Sequence, residues 1–333
     1  MLSAVLRKDT RMMEVVIPRV SVVIPVFNGA TTVARAVDSA LVQDFEGFEV
    51  IVVDDGSSDS TPEALEHYGD RVRIIRQRKQ GPPIARITGS AAARGEYLAF
   101  LDADDVWLQS KLRKTVALLD RNPESVLAFS NLVPVDYFGR PTGELYVADS
   151  VARPPTMDDL LRQLWPILPS AAVIRRASFE KCAGPYSEFN KRGYEDCYLW
   201  LLARERGAFS YTPEPLVIYR QPPLLERLQK YREGFDLFVR LVERRYGIAG
   251  RKLAEEANKA YASTLGHQGL LAMARDERHI ARKYFVCALY FRAFRVRNFL
   301  RLTRAFLPRS LVIPLTGRTR VAFQQPRLRN FGG

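Results

Sequence analysis

The sequence predicts an α/β protein with a mostly parallel, twisted sheet flanked by helices and followed by an all-helical C-terminal region. Apolar β-branched runs, which suit strands buried on both faces, alternate with helical stretches as far as Tyr219. Past Pro222-Pro223 only helical patterns occur, up to about residue 307. Strands that alternate with helices at this spacing are typical of a parallel sheet. We therefore expect a binding crevice at the carboxyl ends of the strands.

The predicted elements succeed one another in order along the chain. Strands are expected at residues 19–26, 48–53, 72–75, 97–101, 128–131, 171–174 and 216–219. Helices are expected at residues 31–42, 61–68, 84–94, 106–119, 157–164, 195–206, 224–246, 252–273 and 277–307. Two of the strands end directly in acidic clusters, Asp54-Asp55 and Asp102-Ala103-Asp104-Asp105. Both clusters should open into the same crevice.

Composition excludes several classes of protein. With 47% hydrophobic and 26% charged residues, the chain is typical of a folded protein. Cys182, Cys197 and Cys287 form no C-x-x-C pair, which argues against a disulfide scaffold or a cysteine-based zinc site. The three histidines are scattered, so any metal has to be held by carboxylates. No apolar run approaches the about 18–20 residues of a spanning helix and no signal peptide is evident, so we expect a cytoplasmic protein.

Asp102-Ala103-Asp104 is the first candidate site, a D-x-D at the end of a predicted strand. One carboxylate can meet a sugar hydroxyl while the other binds a cation, and Mg²⁺ needs only one or two protein carboxylates when a diphosphate supplies other oxygens. The alternative is a solvated turn in which Asp105 simply caps the helix predicted from Val106. A short motif of this kind does not by itself decide between the two.

Three further segments are candidates, each with an ordinary structural alternative. Asp54-Asp55-Gly56-Ser57 can bind a base or ribose, or can be a plain turn. Arg86 lies near a helix start and can face phosphates, or can be a surface residue. Glu195-Asp196 lie in a first helical turn, where the helix dipole favours acids anyway. The chain has neither G-x-G-x-x-G nor G-x-x-x-x-G-K-[ST], which disfavours a dinucleotide dehydrogenase and a P-loop enzyme.

Taken together and in order, five blocks over about residues 18–222 resemble glycosyltransferase family 2. The blocks are Val23-Ile24-Pro25-Val26-Phe27-Asn28, Asp54-Asp55-Gly56-Ser57, Ala85-Arg86 with Ala93-Arg94-Gly95-Glu96-Tyr97, Leu101-Asp102-Ala103-Asp104-Asp105, and Glu195-Asp196 with Leu199-Trp200-Leu201. The resemblance implies a GT-A fold with a nucleotide-binding sheet. It also implies a metal-dependent enzyme that transfers a sugar from a nucleotide-diphosphate donor, with a UDP-sugar favoured, and inverts the anomeric carbon. The acceptor would be a hydroxyl of a polysaccharide or of a lipid-linked glycan.

The resemblance implies positions for the donor. Pro25 and Asn28 would line the nucleotide pocket, and Asp54 would contact the base. Arg86 would reach the base or the phosphates, and Asp102 the ribose.

It also implies the positions of the chemistry. Asp104 would hold the divalent metal, Mg²⁺ or Mn²⁺. Asp196 would be the catalytic base, with Glu195 as the substitute candidate.

Two departures from the family pattern motivate an alternative function. Ile87 follows the arginine where the family commonly has Asn, and Tyr219-Arg220 is followed by Gln221-Pro222-Pro223, without the His that is often found there. In relatives that His helps to hold the metal or the diphosphate. Its absence makes a sugar-nucleotide-binding protein without turnover the second hypothesis.

The net charge of +13 is confined to the C-terminal end. Residues 278–333 carry 13 Lys and Arg and no acid, whereas residues 1–277 carry 37 charges of each sign. Residues 296–307 predict a helix with Phe299, Leu302, Thr303 and Phe306 opposite Arg297, Arg301 and Arg304. This pattern favours an anionic membrane surface as partner, and the alternative is an arginine face on a helix packed against the rest of the protein. No nucleic-acid module accompanies the charge, so no nucleic-acid partner is expected.

These observations predict three parts and a location. Residues 1–17 would be an N-terminal extension, 18–222 the GT-A catalytic domain, and 223–333 a helical, basic C-terminal domain. The protein would work in the cytoplasm, peripherally at the inner face of the membrane.

Overall fold

A computed structural model describes residues 17–136, 139–141, 153–162, 167–189, 193–221, 224–274 and 278–290. Residues 1–16 of the predicted extension 1–17 and the predicted interfacial helix at 296–307 lie outside these residues. Within the described residues, no helix is both long enough and apolar enough to cross a membrane.

The described strands form one sheet flanked by helices. The strands are β1 Val20–Val26, β2 Phe48–Asp54, β3 Arg73–Arg76, β4 Tyr97–Phe100, β5 Val106–Trp107, β6 Ser125–Val135, β7 Ala172–Arg175 and β8 Ala208–Arg220. The helices are α1 Val33–Leu41, α2 Thr61–Glu66, α3 Pro82–Ala92, α4 Lys111–Arg121, α5 Met157–Leu161, α6 Arg176–Ser187, α7 Glu195–Arg204, α8 Leu224–Ala274 and α9 Arg278–Tyr290.

The sheet has the strand order β3-β2-β1-β4-β7-β6-β8-β5. Its first half, β3-β2-β1-β4, is parallel throughout, and β8 runs parallel to β6. Only β7 and β5 run the other way in the described sheet, since each pairs antiparallel with its neighbours. The prediction of a mostly parallel sheet is therefore confirmed.

Two layers of apolar side chains cover the faces of the sheet. Because successive residues of a strand point to opposite faces, β1 contributes Val23 to one layer and Val22 and Ile24 to the other. The first layer joins the sheet to α3, α6, α7 and α8, and the second joins it to α1 and α4. Helix α3 comes so close that a Cβ on Gly89 would lie 2.4 Å from the Val23 side chain.

The helical prediction after the two prolines agrees with α8 and α9. The predicted break between residues 246 and 252 corresponds to a kink at Gly247, whose φ of 71° and ψ of −169° are not helical. Phe238, Leu241 and Val242 of α8 are buried in the same apolar layer as Val23 of β1. The boundary that divides the chain into two domains near residue 222 stays a prediction.

The helix predicted from Val106 was wrong at its start. Val106 and Trp107 pair with Ile218 and Val217 as strand β5, and the helix begins at Lys111. Trp107 is buried, and its indole Nε1 donates to the Ser170 carbonyl at 2.8 Å. Burial of this large ring against β8 outweighs the local helical pattern. Asp105 consequently caps no helix.

Three other elements differ from prediction. Helix α6 was not predicted, and β6 extends well beyond residues 128–131 on both sides. β8 is far longer than residues 216–219 because it passes through Pro213 and Pro215. Its pairing with β6 jumps from Thr212 opposite Ser130 to Pro215 opposite Asn131. The intervening residues form a bulge, where a proline is tolerated because no ladder hydrogen bond is required of it.

Candidate active site

Asn28, Asp54 and Asp102 lie at the carboxyl ends of β1, β2 and β4, where the sequence predicted a binding crevice. β1 lies between β2 and β4, with Val26 opposite Asp54 and Val23 opposite Phe100. The polar segments after these three strands are therefore neighbours. Asp55 continues the pairing beyond β2, since its N–H donates to the Val26 carbonyl at 2.8 Å.

Asn28 and Asp54 belong to one hydrogen-bonded loop pair. Asn28 has a left-handed φ of 52°, and its Oδ1 accepts from the N–H of Ser58 at 2.9 Å. Its own N–H donates to Ser57 Oγ at 2.9 Å. Asp54 is buried, and its Oδ1 accepts from the N–H of Ser57 at 2.8 Å. The loop after β1 and the loop after β2 thus hold each other in place.

Pro25 lies buried in β1, opposite Val53 of β2. The Val23 carbonyl points towards β4, where it accepts from the N–H of Leu101 at 3.1 Å. Because the backbone direction repeats every two residues along a strand, the backbone of Pro25 is also directed towards β4. It lies beyond the last residue of β4 that pairs with β1. A proline without an N–H fits this position because no ladder bond is lost there.

Both carboxylate oxygens of Asp55 accept hydrogen bonds from the segment that leads into α3. Oδ1 accepts from Gln77 Nε2 at 2.7 Å and from the N–H of Gln80 at 2.8 Å. Oδ2 accepts from the N–H of Gly81 at 2.7 Å. Gly81 has a φ of 97° and immediately precedes α3. Asp55 therefore fixes the loop that leads into the helix carrying Arg86.

Arg86 connects the two groups of candidate acids. It is only 3% exposed, so it is not the surface arginine that was one alternative. Nη2 donates to Asp102 Oδ1 at 2.5 Å, and Nη1 donates to Tyr186 Oη at 3.0 Å and lies 3.7 Å from Glu195 Oε1. Burial alone would lower the pKa of Arg86, but Asp102, Tyr186 and Glu195 raise it well above its usual value. The guanidinium stays charged between the two carboxylates.

The acids after β4 have different surroundings. Asp104 is exposed and the Asp102 side chain is 32% exposed, whereas Asp105 is buried. Asp105 Oδ2 accepts from Ser170 Oγ at 2.5 Å, and Oδ1 accepts from the N–H of Arg220 at 3.0 Å. Burial, and then the charges of Asp104 and Asp102, raise the pKa of Asp105 well above its usual value. Asp105 therefore has a structural role, and Asp102 and Asp104 are the accessible pair.

The accessible pair suits a hard divalent cation only in combination with a substrate. No cluster of three His, Cys, Asp or Glu side chains that could hold a metal occurs among the described residues. Carboxylate oxygens are nevertheless the ligands that Mg²⁺ and Mn²⁺ prefer, and Mg²⁺ takes as few as one or two from the protein. The donor set fits a metal whose remaining ligands are water and diphosphate oxygens.

Glu195 and Asp196 open the first turn of α7. Tyr194, directly before them, has a left-handed φ of 71°. Burial, and then the charge of Asp196, raise the pKa of Glu195 to about 7 in spite of the opposing charge of Arg86. Burial is also the main cause of the raised pKa of Asp196, whose Oδ1 accepts from the N–H of Cys197 at 2.9 Å. Carboxylates with pKa values shifted towards neutrality are suited to accept a proton in a reaction.

Comparison with known proteins agrees with this geometry. Residues 21–182 match the model of Glycosyl transferase family 2. The chain belongs to glycosyltransferase family 2. Among the relatives of this family 2 glycosyltransferase, EpsE of Bacillus subtilis is 28% identical over 228 residues, which are 67% of this chain and 76% of EpsE. The succinoglycan biosynthesis protein ExoO of Rhizobium meliloti is 40% identical over 126 residues, which are 37% of this chain and 36% of ExoO.

Solved structures confirm the GT-A fold of this family 2 glycosyltransferase. Residues 1–349 of S. aureus TarS in complex with UDP-GlcNAc superpose with a TM-score of 0.57 at 15% identity, over 86% of this chain and 90% of TarS. The mannosyltransferase PcManGT from Pyrobaculum calidifontis, in complex with GDP-Man and Mn²⁺, gives a TM-score of 0.53 at 20% identity, over 85% of this chain and 87% of PcManGT. The family and the fold that the sequence predicted are both confirmed.

Several residues of the candidate site escaped sequence analysis. Tyr186 accepts from Arg86, and Ser170 bridges Asp105 and the N–H of Asp102, from which it accepts at 3.0 Å. Nothing in the local pattern marks either residue. Phe27 offered a signal, as an aromatic residue after a buried strand. It is 38% exposed, and Lys79 Nζ lies 3.3 Å from its ring centroid.

Proposed function

We propose that the protein is a metal-dependent, inverting glycosyltransferase that moves a sugar from a UDP-sugar to a hydroxyl of a polysaccharide or lipid-linked acceptor. One observation carries the proposal. The acids at the end of β4 and the acids at the start of α7 are separate groups that meet across a single guanidinium, that of Arg86. One group can serve the leaving diphosphate while the other serves the incoming hydroxyl.

The donor side of the proposal rests on the loops after β1, β2 and β4. Pro25 and Asn28 line the nucleotide pocket, Asp54 contacts the base, and Asp102 contacts the ribose. Arg86 acts on the donor side through Asp102, because its buried guanidinium donates to the Asp102 carboxylate at 2.5 Å. TarS has been solved with UDP and with UDP-GlcNAc, which supports a UDP-sugar as the donor. PcManGT has been solved with GDP-Man, so GDP-sugars are the second class of donor to test.

Asp104, with Asp102 beside it, would hold Mg²⁺ or Mn²⁺. When bound, such an ion stabilises the negative charge that develops on a departing diphosphate. The Mn²⁺ in the PcManGT complex supports this part of the proposal.

The base side rests on α7. Asp196 takes the proton of the acceptor hydroxyl as the bond to the anomeric carbon forms, and Glu195 is the substitute. The raised pKa values of both carboxyls suit a general base. General-base catalysis typically contributes about 10²–10⁴-fold to a rate. Attack by the hydroxyl from the side opposite the leaving diphosphate inverts the anomeric carbon.

Asp104→Asn is expected to weaken the Mn²⁺-dependent binding of UDP by about 10- to 100-fold, a loss that substitutions around metal ligands typically cause. Calorimetry of a panel of nucleotides and nucleotide sugars, with Mn²⁺ and with EDTA, measures this and identifies the donor. Asp70→Asn is the control, because Asp70 is exposed and lies before the amino end of the edge strand β3, whereas Asp104 follows the carboxyl end of β4.

A transfer and donor-hydrolysis assay on the same panel separates the two hypotheses. Turnover of a donor supports the enzyme. Binding of a nucleotide sugar without turnover of any donor would instead favour the binding protein that the missing His after Tyr219-Arg220 motivates. Metal-independent binding that Asp104→Asn leaves unchanged would contradict the role given to Asp104.

The basic C-terminal end supports the proposal that the protein acts at an anionic membrane surface on the cytoplasmic side. Removing residues 291–333 deletes ten arginines and no acid while keeping α9 intact. At about 1 kcal/mol for each basic residue near a charged surface, this is expected to abolish binding to vesicles that contain anionic lipid. Co-sedimentation with anionic and with neutral vesicles measures the effect, and equal binding by both chains would contradict the membrane role.

A further inference from the structure

The residue that precedes the two candidate bases has an unusual backbone. Tyr194 is one of two non-glycine residues with a positive φ in the described part of the chain, and Asn28 is the other. L-residues seldom adopt this conformation, and it persists where the surrounding structure enforces it. The side chain of Tyr194 is 8% exposed, so its neighbours lie in the interior of the protein.

Those neighbours belong to α8. The Tyr194 ring packs on Phe235 and Phe238, with centroid distances of 5.4 and 5.6 Å. Phe238 is fully buried and also lies 6.5 Å from Phe235 between ring centroids. Aromatic rings at these distances attract one another in addition to burying apolar surface. Three rings, one before α7 and two from α8, thus fix the start of α7.

A backbone contact lies beside the rings. Gly234 of α8 faces Gly193 so closely that a Cβ on Gly234 would lie 1.7 Å from the Gly193 carbonyl oxygen and 2.4 Å from its carbon. No side chain fits between the two backbones. Gly193 and Tyr194 are the two residues immediately before Glu195 and Asp196. Helix α8 therefore contacts the peptide units that set the direction in which α7 begins.

The end of β8, which precedes α8 in the chain, contacts Asp105 in the acidic cluster after β4. The N–H of Arg220, at the end of β8, donates to Asp105 Oδ1 at 3.0 Å. β8 is followed by α8, so one stretch of chain contacts Asp105 at one end and Gly193 at the other. This stretch connects the two acidic groups a second time, independently of Arg86, and no sequence motif marks it.

We infer that α8 is a positioning element for sugar transfer, because the Gly234–Gly193 contact and the Tyr194–Phe235–Phe238 cluster fix where Glu195 and Asp196 stand relative to the donor. The inference rests on the proposed function, which gives those carboxylates the acceptor proton. Displacement of a reacting group by about 1 Å can lower a rate about 10²-fold. The first turn of α7 can be displaced in this way if the contact between Gly193 and Gly234 is widened.

Gly234→Ala tests the inference. The added methyl group has to push Gly193 away, so kcat is expected to fall about 10- to 100-fold. The binding of UDP with Mn²⁺ and the KM for the donor are expected to stay within about 2-fold, because the donor residues lie in or directly after β1, β2 and β4 and in α3, outside the contact between Gly193 and Gly234. Steady-state kinetics and calorimetry give this split between kcat and donor binding.

Gly247→Ala is the matched control. Gly247 lies in the same helix with a φ of 71°, and a Cβ there would have no neighbour within 4 Å. The substitution strains the backbone and lowers the melting temperature without moving Gly193. We expect its kcat to equal that of the wild type at a temperature where both are folded.

Phe235→Ala and Phe235→Leu provide a second route in case Gly234→Ala does not fold. Loss of the ring frees Tyr194 on one side and is expected to lower kcat, while Leu restores part of it by filling the space. Unchanged kcat in Gly234→Ala or Phe235→Ala, or an equal loss in Gly247→Ala, would overturn the inference. A wild-type chain that transfers no sugar from any donor overturns the proposed function itself.

Discussion

Asp196→Asn is expected to lower kcat by about 10²–10⁴-fold while the binding of UDP and Mn²⁺ stays unchanged. The amide keeps the size of the side chain and can still accept from the N–H of Cys197, as Asp196 Oδ1 does at 2.9 Å. It cannot take a proton from a hydroxyl. The loss therefore falls on the chemical step and leaves the donor loops after β1, β2 and β4 intact. Single-turnover transfer, next to calorimetry of UDP, measures both quantities.

The pH dependence of the wild type depends on the same carboxyls. A base has to be ionised to accept a proton, and burial raises the pKa of both Glu195 and Asp196, that of Glu195 to about 7. Because the ionised form is lost as pH falls, kcat is expected to decline as the pH is lowered, through about pH 7 if Glu195 is the base. In Asp196→Asn the charge that helps to raise the pKa of Glu195 is gone, so any remaining decline moves to lower pH.

Glu195→Gln is the companion variant. It keeps the side-chain length beside Arg86 and removes the charge 3.7 Å from Nη1. If Asp196 is the base, Glu195→Gln retains more activity than Asp196→Asn. The reverse order assigns the base to Glu195, and full transfer by both variants would falsify the assignment of proton transfer to α7.

The sequence was informative wherever function depends on the residues directly after a buried strand. Asn28, Asp54 and Asp102 each come at the end of an apolar run, and the rule that parallel strands meet at their carboxyl ends placed them at the same end of neighbouring strands. Local pattern is enough for this because a buried strand is short and its end is marked by a change to polar residues. The same logic located β1, β2 and β4 within a few residues.

Contacts between distant parts of the chain could not be predicted in this way. Asp105 looked like a helix cap because its partners, Ser170 and Arg220, lie 65 and 115 residues away. Trp107 joined a strand because β8 offered an edge that no local propensity shows. The roles of Gly234 and Phe235 depend on how α8 crosses the start of α7, which is a matter of packing between elements.

Arg86→Met is expected to destabilise the protein by about 3–5 kcal/mol, the cost typical of breaking a buried ion pair. Methionine roughly fills the space but leaves Asp102 and the largely buried Glu195 without the charge that both now face. Tyr186 Oη, which is buried, loses its hydrogen-bond donor as well. Urea unfolding followed by circular dichroism measures the change in free energy.

Arg113→Met is the matched control for this substitution. Arg113 pairs with Asp44 at 3.0 Å, but the two side chains are 56% and 35% exposed. Exposed pairs contribute about 0–1 kcal/mol, so the same change of residue should have little effect there. A comparable loss of stability in both variants would contradict the buried bridge.

Arg86→Lys separates charge from geometry. An ammonium group can satisfy Asp102 or approach Glu195, but it lacks the planar fork with which Arg86 contacts Asp102 and Tyr186 at once. We expect Arg86→Lys to be more stable than Arg86→Met but to keep a low kcat.

The double variant Arg86→Met with Glu195→Gln tests the coupling between the two residues. It lacks one of the two carboxylate charges that Arg86→Met leaves unpaired, so its loss of stability should be smaller than the sum of the losses in the two single variants. An additive result would mean that Glu195 does not depend on Arg86 and that the two acidic groups are not coupled through it.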